Sequence, residues 1–260
     1  QVLKQALLRA GLQPADVDDV ILGCVTPIGD QGANIGRLAA LQAGFPVEVP
    51  GIQINRMCGS GQQAVHFAAQ AILAGDMDIV LAGGVEMMSH QPIGSDWPKN
   101  WPENFPHDLV HQGLSAELMA EKWSLKREEL DDYAFQSHER AAAAIREGRG
   151  KRQITPVLVH HGEGEDKLVE QDEGVRLEPD REKMSSLSPV FKEDGVITAA
   201  NSSQISDGAA ALLVASETAV EEYGLTPLAR IVARSVVGSD PVLMLDAPIP
   251  ATRKVLGDAG

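Results

Sequence analysis

Over its first 86 residues the chain changes hydrophobic period repeatedly, and that alternation most narrows its choice of fold. Val2, Leu3, Ala6, Leu7 and Ala10 recur at helical spacing up to Gly11, a glycine placed to stop a helix. DDVILGCV is a short apolar strand, and NIGRLAALQAG predicts a helix opened by Asn34 as N-cap and closed by Gly44. GIQINRM alternates as a strand does. Ala64, Val65, Ala68, Ala69, Ile72 and Leu73 then mark one apolar helix face ending at Gly75, and DIVLAGGVE reads as a buried parallel strand. Strand and helix taking turns in this way point to an α/β protein, a parallel sheet covered by helices.

From Met87 to about Phe191 the character changes. HQPIGSDWPKNWPENFPHD is rich in proline and tryptophan and has no period, so this stretch reads as an excursion from the α/β core. Within it SAELMAEKW and KREELDDYAFQSHERAAAAIREG are predicted helices, the second stopped by Gly148, and the acidic HHGEGEDKLVEQDEG is a solvated hairpin or loop. The α/β pattern returns with GVITAANSSQISDGAAALLVAS, a turn rich in glycine, serine and asparagine that leads into an apolar segment. A short helix, ETAVEEYG, and a strand-like run, LARIVARSVVG, follow, and PIPATRKVLGDAG begins a last helix. That late strand and helix cannot bury enough apolar surface to stand as a domain, so truncation at both ends, more serious at the C-terminus, is expected.

A chain of 260 residues has room for one large or two ordinary domains. Its formal net charge of −15 argues against broad binding to nucleic acid or to an anionic membrane, while leaving room for a local basic pocket around one phosphorylated ligand. Two cysteines, Cys24 and Cys58, suit reduced thiols in a cytosolic protein better than a disulfide framework. The apolar runs fall far short of the roughly 20 residues that cross a bilayer, and no signal peptide opens the chain, so a cytoplasmic setting is expected. The pair His160 and His161 has no metal partners at suitable spacing, and no metal is expected. GSGQQA fits the loose dinucleotide fingerprint but lacks the acidic residue at the end of the next strand.

The stretch NRMCGSGQQAVHFAAQAILAGD puts one thiol, Cys58, between a strand and a Gly-rich entry into a helix. If the helix starts near Cys58, unpaired backbone N–H groups and the positive end of the helix dipole converge there. Such placement favours thiolate over thiol and makes a nucleophile. Gly59 and Gly61 leave space for a substrate carbonyl, and the Cys58 N–H is placed to hold an oxyanion. Against this stands the plain alternative that a cysteine beside glycines is a small buried hydrophobe, which is the reading for Cys24, in mid-strand. His66, on the following helix, reads as structural. Trp97 and Trp101 fit either the wall of an acyl tunnel, a subunit contact or a rigid surface loop.

INRMCGSGQQAV, with AGDMDIVLAGGVEMMS after it, closely resembles the active-site region of the thiolase family, the acetyl-CoA acetyltransferases and 3-ketoacyl-CoA thiolases. HQGLSAELMAEKWSLKREELDDYAFQSHERAAAA resembles the family's loop-domain segment, FKEDGVITAANSSQISDGAAALLVAS the stretch that returns the chain to the core, and PIPATRKVL the start of the C-terminal half. These blocks stand in family order across essentially the whole chain. The resemblance implies that Cys58 is the acylated nucleophile of a ping-pong reaction on acyl-CoA substrates, with coenzyme A as substrate and no permanently bound cofactor. It also implies that His111 lies beside the pantetheine, Ser203 near its amide groups and Arg176 near the adenine. As residues alone, His111 is equally a loop histidine, Ser203 a turn former and Arg176 part of a solvated charged loop. SAELMAEKW is similar to thiolases grouped with bulky acyl groups, steroid side chains among them.

The implied fold is a thiolase-like layered βαβαβαββ architecture, here the N-terminal half with its loop domain and only the start of the C-terminal half. Residues 1–86 and 192–224 form the core domain in this reading, 87–191 the inserted CoA-binding loop domain and 225–260 the beginning of the second half. The intact family member is a homodimer or homotetramer. It carries an Asn-Glu-Ala-Phe motif, a Gly-His-Pro motif and a second cysteine in a Gly-rich loop, and none of them is in these 260 residues. Each positioned acid or base typically supplies about 10² to 10⁴ in rate, so the chain alone is expected to lack appreciable turnover. Two other readings compete: a non-catalytic acyl-CoA-binding protein on the same scaffold, and a ketoacyl-synthase relative, which the 87–191 loop domain and NSSQISDGAA disfavour.

Overall fold

The computed structural model describes residues 1–160 and 164–260. Its first compact unit comprises residues 1–99 and 205–232. Four strands form its sheet: β1 (Asp19–Gly23), β2 (Gly51–Ile54), β3 (Ile79–Glu86) and, from the far side of the chain, β6 (Gly208–Ala215). The spatial order is β2-β1-β3-β6. β1 runs parallel to both β2 and β3, with Val20 opposite Gly51 and Leu81, whereas β6 is antiparallel to β3, with Leu213 opposite Leu81.

Side-chain alternation along the strands divides the core into two layers. Val20, Leu22, Ile79 and Leu81 face α1 (Val2–Ala10), α2 (Ile35–Gln42) and α7 (Glu217–Glu222), where Leu3, Leu7, Ala40 and Ala219 meet them. Ile21, Val80 and Ala82 face the other way, against Ala64 and Ala68 of α3 (Ser60–Ala74). Expected caps are in place. Asn34 accepts from the Arg37 N–H at 3.2 Å, and Gly44 and Gly75 take left-handed φ of 84° and 81° where α2 and α3 end.

The second unit comprises residues 100–204 and 233–260. It holds α4 (Gln112–Trp123), α5 (Arg127–Arg146), α6 (Arg181–Ser185) and α8 (Pro248–Ala259). A two-stranded antiparallel sheet pairs β4 (Val157–Val159), just before the acidic stretch, with β5 (Lys167–Val169) inside it; residues 161–163, His161 included, lie outside the described residues. Arg127 ties α5 to the α6 region by donating to the carbonyls of Met184 at 2.8 Å and Leu187 at 3.0 Å, and it pairs with Asp131 at 2.6 Å.

One expected strand does not form. LARIVARSVVG makes no ladder with any described segment and leaves Leu228 and Val232 exposed. Strand geometry is fixed by cross-strand pairing, so β-branched composition without a neighbour is not enough.

Candidate active site

The connection between β2 and α3 spans only residues 55–59. α3 begins at Ser60 with Gly59 as its N-cap, so Cys58 stands just outside the helix rather than in its first turn. The reversal is made at Met57, whose φ of 48° is left-handed. That conformation costs an L residue with a Cβ about 1–2 kcal/mol, so neighbours must hold it. They do so from both sides. The Met57 N–H donates to Asn55 Oδ1 at 2.9 Å, and the Met57 carbonyl accepts from the Ser60 N–H at 3.0 Å and from Ser60 Oγ at 2.5 Å. Ser60 Oγ also accepts from the Arg56 N–H at 2.8 Å, and the residue is buried. The outcome is a sharp strand-to-helix elbow with an exposed Cys58 at its tip, an arrangement that presents a nucleophile to a substrate.

Negative charge beside Gly59 is favoured, because the first N–H groups of α3 lack intrahelical acceptors and the helix dipole is positive there. A Cβ at Gly59 would approach only the Arg56 carbonyl, at 3.4 Å, and one at Gly61 only the Gly83 backbone, at 3.8 Å. Packing within the unit therefore does not demand glycine at either position, and Gly61 faces the backbone of β3 rather than the thiol. Gly23 is different. A Cβ there would fall 2.4 Å from the Ser60 carbonyl carbon, so the close seating of α3 on β1 requires glycine.

Behind the elbow lies a carboxylate that sequence reasoning passed over. Glu86, at the end of β3, accepts from the N–H groups of Val25 at 2.8 Å and Thr26 at 3.2 Å and from Gln31 Nε2 at 2.9 Å. Gln31 is itself buried and accepts from the Met87 N–H at 2.6 Å. The available signal was a single acidic residue ending an otherwise apolar strand. Cys24 follows β1 rather than sitting within it; it is buried, and its Sγ lies 3.8 Å from Glu86 Oε1. Burial first, and the Glu86 charge second, push its thiol up to about 11. Of the two thiols, Cys58 is the exposed one.

The three residues expected to meet coenzyme A all fall in the second unit. His111 is the N-cap of α4: its Nδ1 accepts from the Gly113 N–H at 3.1 Å, and its ring stacks on Phe191 at 5.2 Å between centroids. Phe191 also closes over Gly113, where a Cβ would fall 2.3 Å from the ring. Ser203 is exposed at the end of a loop fixed by Asn201, which bonds the Val196 carbonyl, the Thr198 N–H and Asp131, and by Glu117, whose buried carboxylate accepts from the Val196 and Ile197 N–H groups. Arg176 exposes its side chain while its N–H donates to His138 Nδ1 at 3.1 Å. Gln204, next to Ser203, donates to the carbonyl of Gly174, two residues before Arg176, so Ser203 and Arg176 share a neighbourhood. Phe191, Asn201 and Glu117 were not singled out from sequence. Half-buried His66 lies on α3. Among the described residues no cluster of three His, Cys, Asp or Glu could hold a metal, and no helix is long and apolar enough to cross a membrane.

Comparison with known proteins adds an independent line. The family described as thiolase, N-terminal domain, matches residues 1–218. A steroid 3-ketoacyl-CoA thiolase from Mycobacterium tuberculosis is 47% identical over 97% of this chain and 64% of its own length, and a 3-ketoacyl-CoA thiolase from Pseudoalteromonas translucida is 44% identical over 96% and 65%. This chain thus spans somewhat less than two thirds of these relatives. The crystal structure of the Bacillus anthracis acetyl-CoA acetyltransferase superimposes with a TM-score of 0.90 at 38% identity, covering 99% of this chain and 68% of that one. The matched region takes in the sheet, the Cys58 elbow and the returning strand together, so the likeness extends over a whole fold and not merely a motif, and the chain belongs to the thiolase family.

Proposed function

We propose that the protein carrying this chain is a thiolase-type acyltransferase acting on 3-ketoacyl-CoA, with Cys58 as the acylated nucleophile. The observation that carries this reading is the exposed thiol held at the tip of a strained elbow ahead of α3. In the thiolytic direction the Cys58 thiolate attacks the 3-keto carbon of the substrate. The C2–C3 bond breaks, its electron pair leaves with the acetyl-CoA carbanion, and that carbanion takes up a proton to become acetyl-CoA. An acyl thioester remains on Cys58. A second coenzyme A thiolate attacks it, expels the Cys58 thiolate and departs as the shortened acyl-CoA. Passing through a thioester keeps the acyl group activated, since exchange between thioesters is nearly balanced in energy. The reverse sequence joins two acetyl units in a Claisen condensation. In this reading the base that takes the thiol proton and the acid that protonates the carbanion lie outside these 260 residues.

His111, Ser203 and Arg176 are proposed to contact the pantetheine, its amides and the adenine end of coenzyme A, a placement supported by their exposure and by the Gln204 link between the last two. A cytoplasmic homodimer or homotetramer completes the proposal. The test is intact-mass spectrometry after incubation with acetyl-CoA. One acetyl group is expected on the wild type and none on Cys58→Ala. An equal adduct on both proteins, or coenzyme A binding with no adduct on either, favours the non-catalytic acyl-CoA-binding reading.

A further inference from the structure

We propose that Asn55 is a positioning residue for Cys58, its carboxamide clamping the strained Met57 peptide to the loop after β1. Asn55 is exposed, and an exposed side chain is ordinarily free to wander; here both ends of its carboxamide are engaged. Oδ1 accepts from the Met57 N–H at 2.9 Å, and Nδ2 donates to the Val25 carbonyl at 2.8 Å. The anchor at Val25 is itself held, because its N–H donates to Glu86 Oε2 at 2.8 Å. A continuous line therefore runs from the end of β3 through Glu86, Val25 and Asn55 to Met57, the residue immediately before the thiol. Ser60 fixes the Met57 carbonyl from the helix side, and Asn55 fixes its N–H from the sheet side.

Both amide groups are needed, one as acceptor and one as donor, and of the common side chains only a carboxamide of this length offers the two on adjacent atoms. Without Asn55 the left-handed turn loses its hold on one side, and Met57 can relax toward the ordinary φ range. Cys58, one residue on, then swings away from the place where its sulfur and its N–H meet a substrate carbonyl. A shift of this kind leaves the thiol exposed but misplaced. It should therefore separate two reactions of the same sulfur: acyl transfer from a bound thioester, which needs the geometry, and alkylation by a small reagent, which does not.

The proposal rests on the acyltransferase reading. The experiment measures, in the protein carrying this chain, the rate of Cys58 acetylation by acetyl-CoA and the rate of its alkylation by iodoacetamide, for the wild type, Asn55→Ala and Asn55→Asp. Asn55→Ala is expected to slow acetylation by at least about tenfold while alkylation stays within about threefold, given that small misplacements cost acyl transfer far more than a diffusing reagent. Asn55→Asp keeps the acceptor for the Met57 N–H and loses the donor to Val25, so its acetylation rate should fall between the two, and it carries the test if the alanine variant does not fold. Acetylation by the variants at the wild-type rate, or a parallel fall in acetylation and alkylation, overturns the positioning role. A wild-type protein that takes up no acetyl group overturns the acyltransferase reading, and this proposal with it.

Discussion

At the scale of single residues, the two cysteines show how far surroundings decide chemistry. Cys58 is exposed on the elbow, whereas Cys24 is buried against Glu86 and has its thiol pushed up to about 11. An unfolded thiol ionises at about 8.5, so at alkaline pH the unfolded chain gains ionisation that folded Cys24 forgoes. Its contribution to stability is whole below the unfolded value and is lost as pH rises through the folded one. Wild-type protein should accordingly lose more stability between pH 8 and pH 10.5 than Cys24→Ala, a difference read from urea unfolding at the two pH values; equal losses would mean that Cys24 ionises normally in the fold. Cys58 and its glycines were legible in sequence, because one thiol between a strand and a Gly-rich helix entry is a local pattern. Glu86 and Glu117 were not, since their role depends on backbone N–H groups about 60 and 79 residues away in the chain.

At the scale of elements, the elbow works only if α3 sits close on the sheet. The closeness has a visible cause in the small residues Ala64 and Ala68 facing Ile21 and Val80, and in the bare Gly23 beneath Ser60. Gly23→Ala puts a methyl group 2.4 Å from the Ser60 backbone, where no side-chain rotation relieves the clash. The helix must shift, which should cost about 1–3 kcal/mol or more, visible as a lower urea midpoint with an unchanged slope. The same shift should slow acetylation of Cys58, since Ser60 is one of the groups holding Met57. Periodicity revealed α1, α2, α3, β1, β2 and β3 within a few residues of their bounds, because each buries one face and so carries a period. That β6 pairs antiparallel with β3 was not legible, since the direction of a partner leaves no mark on a strand's own composition. The LARIVARSVVG run was misread for the same reason: composition names what a segment can pair as, and never whether a neighbour is present.

At the scale of the whole molecule, large apolar side chains stand exposed in both compact units. Leu228, Val232 and Ile205 are 92%, 74% and 71% exposed, and Leu256 on α8, a helix with no buried residue, is 65% exposed. Scattered singly, such residues are ordinary, but Leu228, Ile231, Val232 and Val236 lie within nine consecutive positions that form no regular element. Exposed apolar side chains so close together in the chain, as Leu228, Ile231 and Val232 are within the first unit, suit a surface made to be covered. Nothing in the sequence pattern distinguished it from a core strand, as both are apolar, and only exposure separates them. The relatives are about half as long again as this chain, and we propose that in the acyltransferase of the proposed function polypeptide of that kind supplies the cover. The 260-residue chain produced alone should then self-associate: light scattering should show a mass well above that of a monomer, falling when Leu228 and Val232 are both replaced by serine. A monodisperse monomer at high concentration would mean that the strip folds back on the chain's own surface in solution. In that case the run 228–236 is a self-contained part of the fold rather than an interface.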